Sequence, residues 1–236
     1  MPRANRCYIE GHIWHITHRC HRRRFHLRFA RDRRSWVRWL YAARARFGLC
    51  VFDYCVTSNH VHLLARDRGF DEIPRSLQLI AGCTGQAFNA RKGHHGGFWE
   101  DRYHATAVES GQHLARCLVY IDLNPVRAGL SETPRDYPWS SHGHYIGARH
   151  DRLITPHPIY WELGNTPFAR EAAYAQLVQS GIGEEDQRAL TDSVLRGWAL
   201  GDASYVAELQ RRTLRRVSKA RAGRPALVDS EPASGV

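Results

Sequence analysis

The sequence contains no long apolar run, and this absence limits where the protein can act. No segment approaches the roughly 20 consecutive apolar residues that a membrane-spanning helix needs. The chain begins MPRANR, which lacks the apolar core of a secretory signal peptide. We therefore expect a cytoplasmic protein that does not span a membrane.

Paired cysteines are missing as well. The six cysteines, at positions 7, 20, 50, 55, 83 and 117, are scattered without a CxxC pair. Disulfides are unusual in a reducing compartment, so most of these residues are expected to be small buried side chains. A zinc site that includes Cys50 and Cys55 is the alternative that this spacing leaves open.

Lysine is scarce throughout, and acidic residues are scarce in two segments. Residues 1–50 hold thirteen arginines and no lysine against Glu10 and Asp32, and residues 211–224 are basic without any acid. The formal net charge of the whole chain is +11. Arginine has a planar donor group that suits phosphate oxygens and base edges. Two basic regions on a nearly neutral body therefore favour a nucleic-acid partner over solvated charge alone.

The alternation of apolar residues predicts an α+β fold. Strands are expected at 12–18, 49–54, 60–64 and at the end of 98–108, and helices at 31–47, 73–91 and 111–123, the last stopped by Pro125. This order predicts a central antiparallel sheet with helices on one face. We expect this domain to span 1–150. A mostly helical extension with a basic tail would span 151–225, with helices at 168–179 and 184–197, followed by a disordered end at 226–236.

His60 and His62 form the first candidate site. Side chains alternate along a strand, so both imidazoles point to one face while Val61 and Leu63 point into the core. Two adjacent imidazoles suit a divalent metal, and as core residues each would need its own hydrogen-bond partners.

A second candidate site lies on the helix that contains Tyr120 and Asn124. Residues four apart occupy neighbouring turns of one helix face. An asparagine amide oxygen can coordinate a hard cation. The alternative is a tyrosine at the edge of the core and a capping asparagine, and spacing alone does not decide between the two. His15, on the first strand, is the one candidate for a general base.

Four sequence blocks resemble known proteins. The block Ser58-Asn59-His60-Val61-His62 is similar to the HUH motif of single-strand nucleases. The blocks FWEDRY at 98–103, YIDLNPVRAGL at 120–130 and YPWSS at 137–141 resemble those of the REP-associated tyrosine transposases. The likeness runs from about residue 8 to 148. One departure is Cys20, which stands where the family often has glycine after the first strand.

This resemblance implies a ferredoxin-like sandwich with a metal-dependent nuclease site. It implies that Tyr120 is the catalytic nucleophile and that His60, His62 and Asn124 surround a Mg²⁺ or Mn²⁺ ion. The implied reaction cleaves and rejoins single-stranded DNA near hairpins, such as repetitive extragenic palindromes, through a 5′-phosphotyrosine. The implied partner is single-stranded or hairpin DNA, and the implied protein is a nucleoid-associated monomer or homodimer.

The DNA-binding side chains are expected to be arginines in and around these blocks. The candidates are Arg19, Arg22, Arg23, Arg24, Arg102, Arg127, Arg215 and Arg216. Trp99, Tyr103 and Trp139 are expected mainly in the core, although one or two of them could stack on unpaired bases.

Three other functions remain open at the level of sequence. The protein could be a domesticated hairpin-DNA-binding protein without turnover. It could be a metal-dependent hydrolase that uses water and forms no covalent adduct with DNA. It could also be a duplex-DNA regulator that binds through its C-terminal helices and basic tail.

Overall fold

Four strands form one antiparallel sheet in the order β2-β3-β1-β4. The computed structural model describes residues 8–214 and 216–218 of the chain. The strands are β1 (Ile13–Arg19), β2 (Cys50–Val56), β3 (His60–Arg66) and β4 (His104–Val108). The pairing of β1 with β3 places Arg19 opposite His60 and Thr17 opposite His62. The histidine motif therefore lies on β3, one of the two central strands, beside β1.

Nine α-helices accompany the sheet within the described residues. They are α1 (Ala30–Phe47), α2 (Glu72–Lys92), α3 (Gln112–Asp122), α4 (Asn124–Arg127), α5 (His142–Tyr145), α6 (Pro158–Trp161), α7 (Pro167–Ser180), α8 (Glu184–Arg196) and α9 (Ala203–Arg212). In α1 the buried residues Trp36, Leu40 and Ala43 follow helical spacing, and Gly48, with φ of 70°, ends the helix. The predicted α+β class, with a central antiparallel sheet and a mostly helical C-terminal extension, is confirmed.

Helices cover both faces of the sheet, so the prediction of one covered face is wrong. Every residue of β1 except Arg19 is buried, whichever side it points to. His15 lies against Tyr120 of α3, whereas His18, three residues on, stacks on Trp99, which donates a hydrogen bond to α2. Residues three apart on a strand point to opposite faces. The prediction of one covered face was wrong because side chains on both faces of these strands are buried.

Chain segments outside the strands cover both edges of the sheet. Beside β2, the amide of Val56 donates to Trp139, that of Ser141 to Tyr54, and that of Thr155 to Val51, each at 2.9 Å. Beside β4, Leu200 forms an isolated bridge with Val108. Covered edges remove the unpaired backbone groups through which sheets aggregate. The YPWSS block at 137–141 thus has a structural role at the β2 edge.

One predicted helix stop is wrong, and one helix of the structure was not predicted. Pro125 does not stop the helical path, because α3 ends earlier, at Asp122, and Pro125 lies in the first turn of α4. Proline is tolerated in a first helical turn, where its missing N–H would have no partner. α9 was not predicted. The disordered end expected at 226–236 lies outside the described residues, and the domain boundary near 150 stays a prediction.

None of the helices in the described part of the chain is long and apolar enough to cross a membrane.

Candidate functional site

Two adjacent strands and the α3–α4 segment bring the predicted site residues together. His60 and His62 point from β3 toward α3, while Val61 and Leu63 are buried on the other face of the sheet. His60 Nε2 lies 3.1 Å from Asn124 Oδ1, and His62 Nε2 lies 3.0 Å from Asn124 Nδ2. The asparagine amide therefore bridges the two imidazoles. The structure places these three candidate metal ligands in direct contact with one another.

Hydrogen bonds around His60 determine which of its nitrogens carries the proton. Its Nδ1 atom lies 2.7 Å from Asn59 Oδ1 and 2.9 Å from Thr57 Oγ1, and the Thr57 hydroxyl already donates to the His60 carbonyl at 2.7 Å. Both neighbours of Nδ1 thus act as acceptors, which assigns the proton to Nδ1. The Nε2 lone pair then faces the Asn124 carbonyl oxygen. Two facing lone pairs repel, and a cation between them would attract both.

His15 orients His62 in a similar way. His15 Nε2 lies 2.9 Å from His62 Nδ1. If Asn124 donates to His62 Nε2, the His62 proton must be on Nδ1, from which it is donated to His15. Metal-binding histidines commonly donate their second ring nitrogen to such a partner. This arrangement fits a divalent ion among His60, His62 and Asn124, and it occupies the nitrogen with which His15 would act as a general base.

Burial keeps the three histidines neutral near pH 7. Desolvation, followed by the positive charge of Arg19, lowers the pKa of His60 to about 4. Desolvation lowers the pKa of His15 to about 3 and places the pKa of His62 well below its usual value. A neutral imidazole has a free lone pair, which is the form that binds metals.

Tyr120 lies beside this cluster in the same chain. Its ring centroid is 5.8 Å from that of His62 and 6.1 Å from that of His15, and only 8% of the residue is exposed. The guanidinium of Arg127 lies 4.2 Å from the centre of the Tyr120 ring and donates to the Tyr120 carbonyl. The tyrosine is therefore held between the histidine cluster and a cation.

Two arginines give the site a positive potential. Arg19 lies opposite His60 in the β1–β3 pairing, and the charges of Arg19 and Arg127 both contribute to the lowered pKa of His62. Arg127 is exposed at the surface, although desolvation of its guanidinium beside Tyr120 lowers its pKa. Within residues 8–214 and 216–218 it forms no ion pair with a carboxylate. A cation without a counter-ion at the surface of the site favours an anionic ligand.

The other predicted DNA-binding residues lie in different places. Arg22, Arg23 and Arg24 are exposed on the loop after β1. Arg102 lines a pocket that also contains Asp67 and Asp71, so the structure does not bring it to the histidine cluster. Arg216 is exposed, and Arg215 lies outside the described residues. Binding by each of these arginines stays a prediction.

Several residues that position the site were not found from the sequence. Thr57 and Asn59, to which the sequence analysis gave no role of their own, set the tautomer of His60. Asp122 accepts hydrogen bonds from His142 Nδ1 at 2.8 Å and Tyr174 Oη at 2.7 Å, which ties the end of α3 to α5 and α7. The chemistry of a turn can be read from a sequence, but contacts between positions 20 to 52 residues apart cannot be read from one sequence alone.

One other group within the described residues has the composition of a metal site. His113 Nε2 lies 3.0 Å from Asp202 Oδ1 and 3.9 Å from Glu109 Oε2, at the surface between the start of α3 and the start of α9. The zinc site considered for Cys50 and Cys55 has no counterpart among the described residues. Cys20, Cys55 and Cys117 are buried free thiols, as expected.

Residues 8–124 match the family described as "Transposase IS200 like". This region is about half of the chain and includes His15, His60, His62, Tyr120 and Asn124. The chain belongs to this family over that region, and the resemblance read from the sequence blocks is confirmed at this level.

One curated relative comes from Haemophilus influenzae (strain ATCC 51907 / DSM 11121 / KW20 / Rd) and carries the provisional name REP-associated tyrosine transposase. It is 29% identical over 97 residues, which cover 37% of this chain and 55% of the relative. The chain thus spans about half the length of the curated relative that it matches.

Two solved structures are similar to this one. A REP-associated tyrosine transposase bound to a REP hairpin has a TM-score of 0.53 and 19% identity, with 66% of this chain and 92% of the other covered. A provisionally named transposase from Deinococcus radiodurans R1 has a TM-score of 0.37 and 16% identity, with 54% and 97% covered. The first similarity supports the fold, and the second is too weak to support an argument.

Proposed function

We propose that this protein is a metal-dependent single-stranded DNA endonuclease and transposase that cleaves and rejoins DNA near hairpins through a 5′-phosphotyrosine. The observation that carries the proposal is the convergence of His60, His62 and Asn124 beside Tyr120. Two neutral imidazole nitrogens, one amide oxygen and one phenol are the groups that such a reaction requires. Family membership over residues 8–124 supports the same class of reaction.

Tyr120 is the proposed nucleophile. Its Oη forms a bond to a backbone phosphorus, and the bond from that phosphorus to the 3′ oxygen breaks. The products are a 5′-phosphotyrosine and a strand that ends in a 3′-hydroxyl. The phenol releases one proton and the leaving oxygen takes up one. Attack by a 3′-hydroxyl reverses these steps and rejoins DNA, because the covalent bond conserves the energy of the phosphodiester.

His60, His62 and Asn124 are the proposed ligands of a Mg²⁺ or Mn²⁺ ion. When bound, such an ion supplies Lewis-acid polarisation of the phosphate and stabilises charge on the leaving oxygen. The chain itself contributes Arg19 and Arg127, whose charges attract phosphate oxygens to the site. Arg127 also orients the Tyr120 ring through the contact at 4.2 Å.

Hairpin DNA is the proposed substrate, and Tyr120 is proposed to act on DNA bound to its own chain. The structural relative with a TM-score of 0.53 is bound to a REP hairpin, which supports a hairpin ligand for this fold. Tyr120 lies 5.8 Å, ring to ring, from His62 of the same chain. No second subunit is needed to bring the tyrosine to the histidine cluster, so action in cis is the simplest arrangement.

The test is the formation of a covalent adduct. The protein is incubated with labelled hairpin-forming repeats from its own genome and Mn²⁺, then resolved on a denaturing gel. We expect an SDS-resistant protein–DNA band in wild type. The band should disappear in Tyr120→Phe and in the presence of EDTA, whereas Tyr41→Phe, which changes a half-exposed tyrosine on α1, should keep it.

Each other outcome points to a different function. Cleavage by wild type without an adduct would indicate a hydrolase that uses water. Hairpin binding with neither cleavage nor adduct would indicate a binding protein without turnover, and a preference for duplex DNA would indicate a regulator. Full adduct formation by Tyr120→Phe would exclude Tyr120 as the nucleophile, and full activity in EDTA would exclude the metal site.

A further inference from the structure

Two phenylalanines are exposed on the loop that follows β1. Phe25 is 65% exposed and Phe29 is 49% exposed. The amide of Arg28 donates to the Phe25 carbonyl at 3.1 Å, so a closed turn separates the two residues. A single exposed apolar residue is common on protein surfaces. Two rings around one tight turn form a small apolar surface, which we call the Phe25–Phe29 surface.

Cations surround this surface. Arg28, Arg31 and Lys92 lie 5.8, 5.6 and 5.8 Å from the centre of the Phe29 ring. The acid in the first turn of α1, Asp32, is buried and paired with Arg91 at 2.5 Å, so it does not neutralise them. Exposed rings among cations complement a ligand that carries both flat apolar groups and negative charge.

Hydrogen bonds connect the Phe25–Phe29 surface to the segment just before β3, the strand that carries His60 and His62. Leu27 lies between Phe25 and Phe29 in the sequence and is fully buried. Its amide donates a hydrogen bond to the Ser58 carbonyl at 2.9 Å. Arg33 donates to the Leu27 carbonyl at 3.0 Å and to Ser58 Oγ at 2.9 Å. Ser58 lies two residues before His60. The rings are therefore fixed relative to the candidate active site by a short chain of hydrogen bonds.

We propose that the Phe25–Phe29 surface binds unpaired nucleotides of the DNA substrate, with a base stacked on each ring and the adjacent phosphates bound by Arg28, Arg31 and Lys92. Base stacking on aromatic side chains within a basic groove is the usual mode of single-strand binding. This inference rests on the proposed function and adds the segment of DNA that the loop recognises: nucleotides that flank a hairpin stem.

Two of the three aromatic residues considered from the sequence, Trp99 and Tyr103, are less available for this role. Trp99 is half-buried, stacks on His18 at 4.0 Å and donates its indole N–H to Ala81. Tyr103 is hydrogen-bonded to Tyr8 at 3.0 Å. Both rings are already packed against protein groups, whereas Phe25 and Phe29 present their surface to solvent.

The test measures binding of two DNAs by fluorescence anisotropy. One is a hairpin with an unpaired flank that contains 2-aminopurine, and the other is the same hairpin with a blunt end. We expect Phe25→Ala/Phe29→Ala to weaken binding of the flanked hairpin by about tenfold for each ring removed. Binding of the blunt hairpin should change little. Phe25→Trp/Phe29→Trp should restore affinity, and the control Phe168→Ala, which removes an 81% exposed ring on α7, should match wild type.

Two further measurements separate stacking from charge. The 2-aminopurine emission should be quenched by wild type and not by the double alanine variant. Arg28→Ala/Arg31→Ala should lower the salt dependence of binding, which the phenylalanine variant should leave unchanged.

The inference and the proposed function fail in different ways. If wild type binds the flanked hairpin and forms the adduct while Phe25→Ala/Phe29→Ala behaves identically, the inference is wrong and the proposed function stands. An equal loss of affinity for flanked and blunt hairpins would also overturn the inference, because it would place the rings against the stem. If wild type binds neither DNA, the proposed function itself is wrong.

Discussion

At the scale of single residues, His15 links the core of the sheet to the candidate metal site. It is 1% exposed, and its contact with His62 Nδ1 fixes the tautomer in which His62 Nε2 is free for a ligand. The sequence analysis named His15 as a candidate general base but did not establish which way its side chain points. The structure answers this through the strand register, because His15 points to the same face as His62.

Removing the acceptor at position 15 should weaken metal binding. We expect His15→Phe, which keeps a ring but lacks the nitrogen, to raise the Kd for Mn²⁺ by about 10- to 100-fold, since partners of metal ligands commonly contribute that much. His15→Gln should recover part of the affinity because its amide oxygen can accept the His62 proton. Isothermal titration calorimetry without DNA gives the Kd directly.

The control for this prediction is His95→Phe, which changes an exposed histidine in the 93–97 loop. Thermal unfolding of each variant shows whether the fold is intact. An unchanged Mn²⁺ affinity in a folded His15→Phe protein would show that His15 does not orient a metal ligand.

Single residues also show how far the sequence predicts the site. His60, His62, Tyr120 and Asn124 were identified from two local motifs, and the structure brings them together. The departure at Cys20 has no structural cost, because this residue is extended, with φ of −68°, and fully buried. The loop instead has positive φ at Arg22 and Arg23. Arginine rarely adopts a positive φ, so the sequence gives no sign of this loop conformation.

At the scale of secondary structure elements, α3 connects the tyrosine to the C-terminal helices. Tyr120 and Asp122 are two residues apart on α3 and point in different directions. Tyr120 faces the histidine cluster, and Asp122 accepts hydrogen bonds from His142 and Tyr174 in a fully buried position. Both bonds go to Asp122 Oδ2, which lowers the cost of burying the carboxylate, while Oδ1 has no hydrogen-bond partner among the described residues. The position of the proposed nucleophile thus depends on α7.

The hydrogen bond between Tyr174 and Asp122 should contribute measurably to stability. Tyr174→Phe removes a donor from a buried acceptor, so we expect the free energy of unfolding to fall by about 1–2 kcal/mol. Urea unfolding measures the change. Tyr41→Phe is the matched control, because it also removes a bond from a phenol to an aspartate, at 2.8 Å, but at a half-exposed position. An equal decrease in both variants would contradict the special role of the buried contact.

The two long helices of the domain were predicted well, and the short last helix was not. The helix predicted at 31–47 begins one residue after α1 begins and ends where α1 ends. The helix predicted at 73–91 is one residue shorter than α2 at each end. α9, by contrast, was missed although Tyr205, Val206 and Leu209 give its ten residues an apolar side, of which only Leu209 is buried. The burial of both faces of the sheet was also missed. A pattern of residue types shows which positions are apolar, but it does not show which elements cover each face.

At the scale of the whole molecule, the charge is concentrated where the proposed DNA path would run. Arg22, Arg23 and Arg24 are exposed on the loop after β1, and Asn59 Nδ2 donates to the Arg23 carbonyl at 3.3 Å. Arg19, at the end of β1, faces the candidate metal site. A continuous positive surface from the loop to the site would guide a polyanion toward Tyr120.

This charge distribution predicts the salt dependence of DNA binding. Each neutralised phosphate releases condensed counter-ions, so the slope of log K against log salt concentration falls by about 0.7–0.9 for every phosphate that a variant no longer binds. We expect Arg22→Ala/Arg23→Ala/Arg24→Ala to lower the slope by about 2 if all three bind phosphates. The decrease in affinity should be similar for hairpins of different sequence, because phosphate contacts carry no sequence information.

Arg135→Ala/Arg152→Ala/Arg188→Ala provides a control with the same change in net charge. These three arginines are also exposed, but they lie outside the loop after β1 and away from it in sequence. Titration of one hairpin at several salt concentrations gives both slopes. If the two triple variants lower the slope equally, net charge rather than the position of the arginines governs binding. If neither lowers it, the loop after β1 does not contact the DNA backbone.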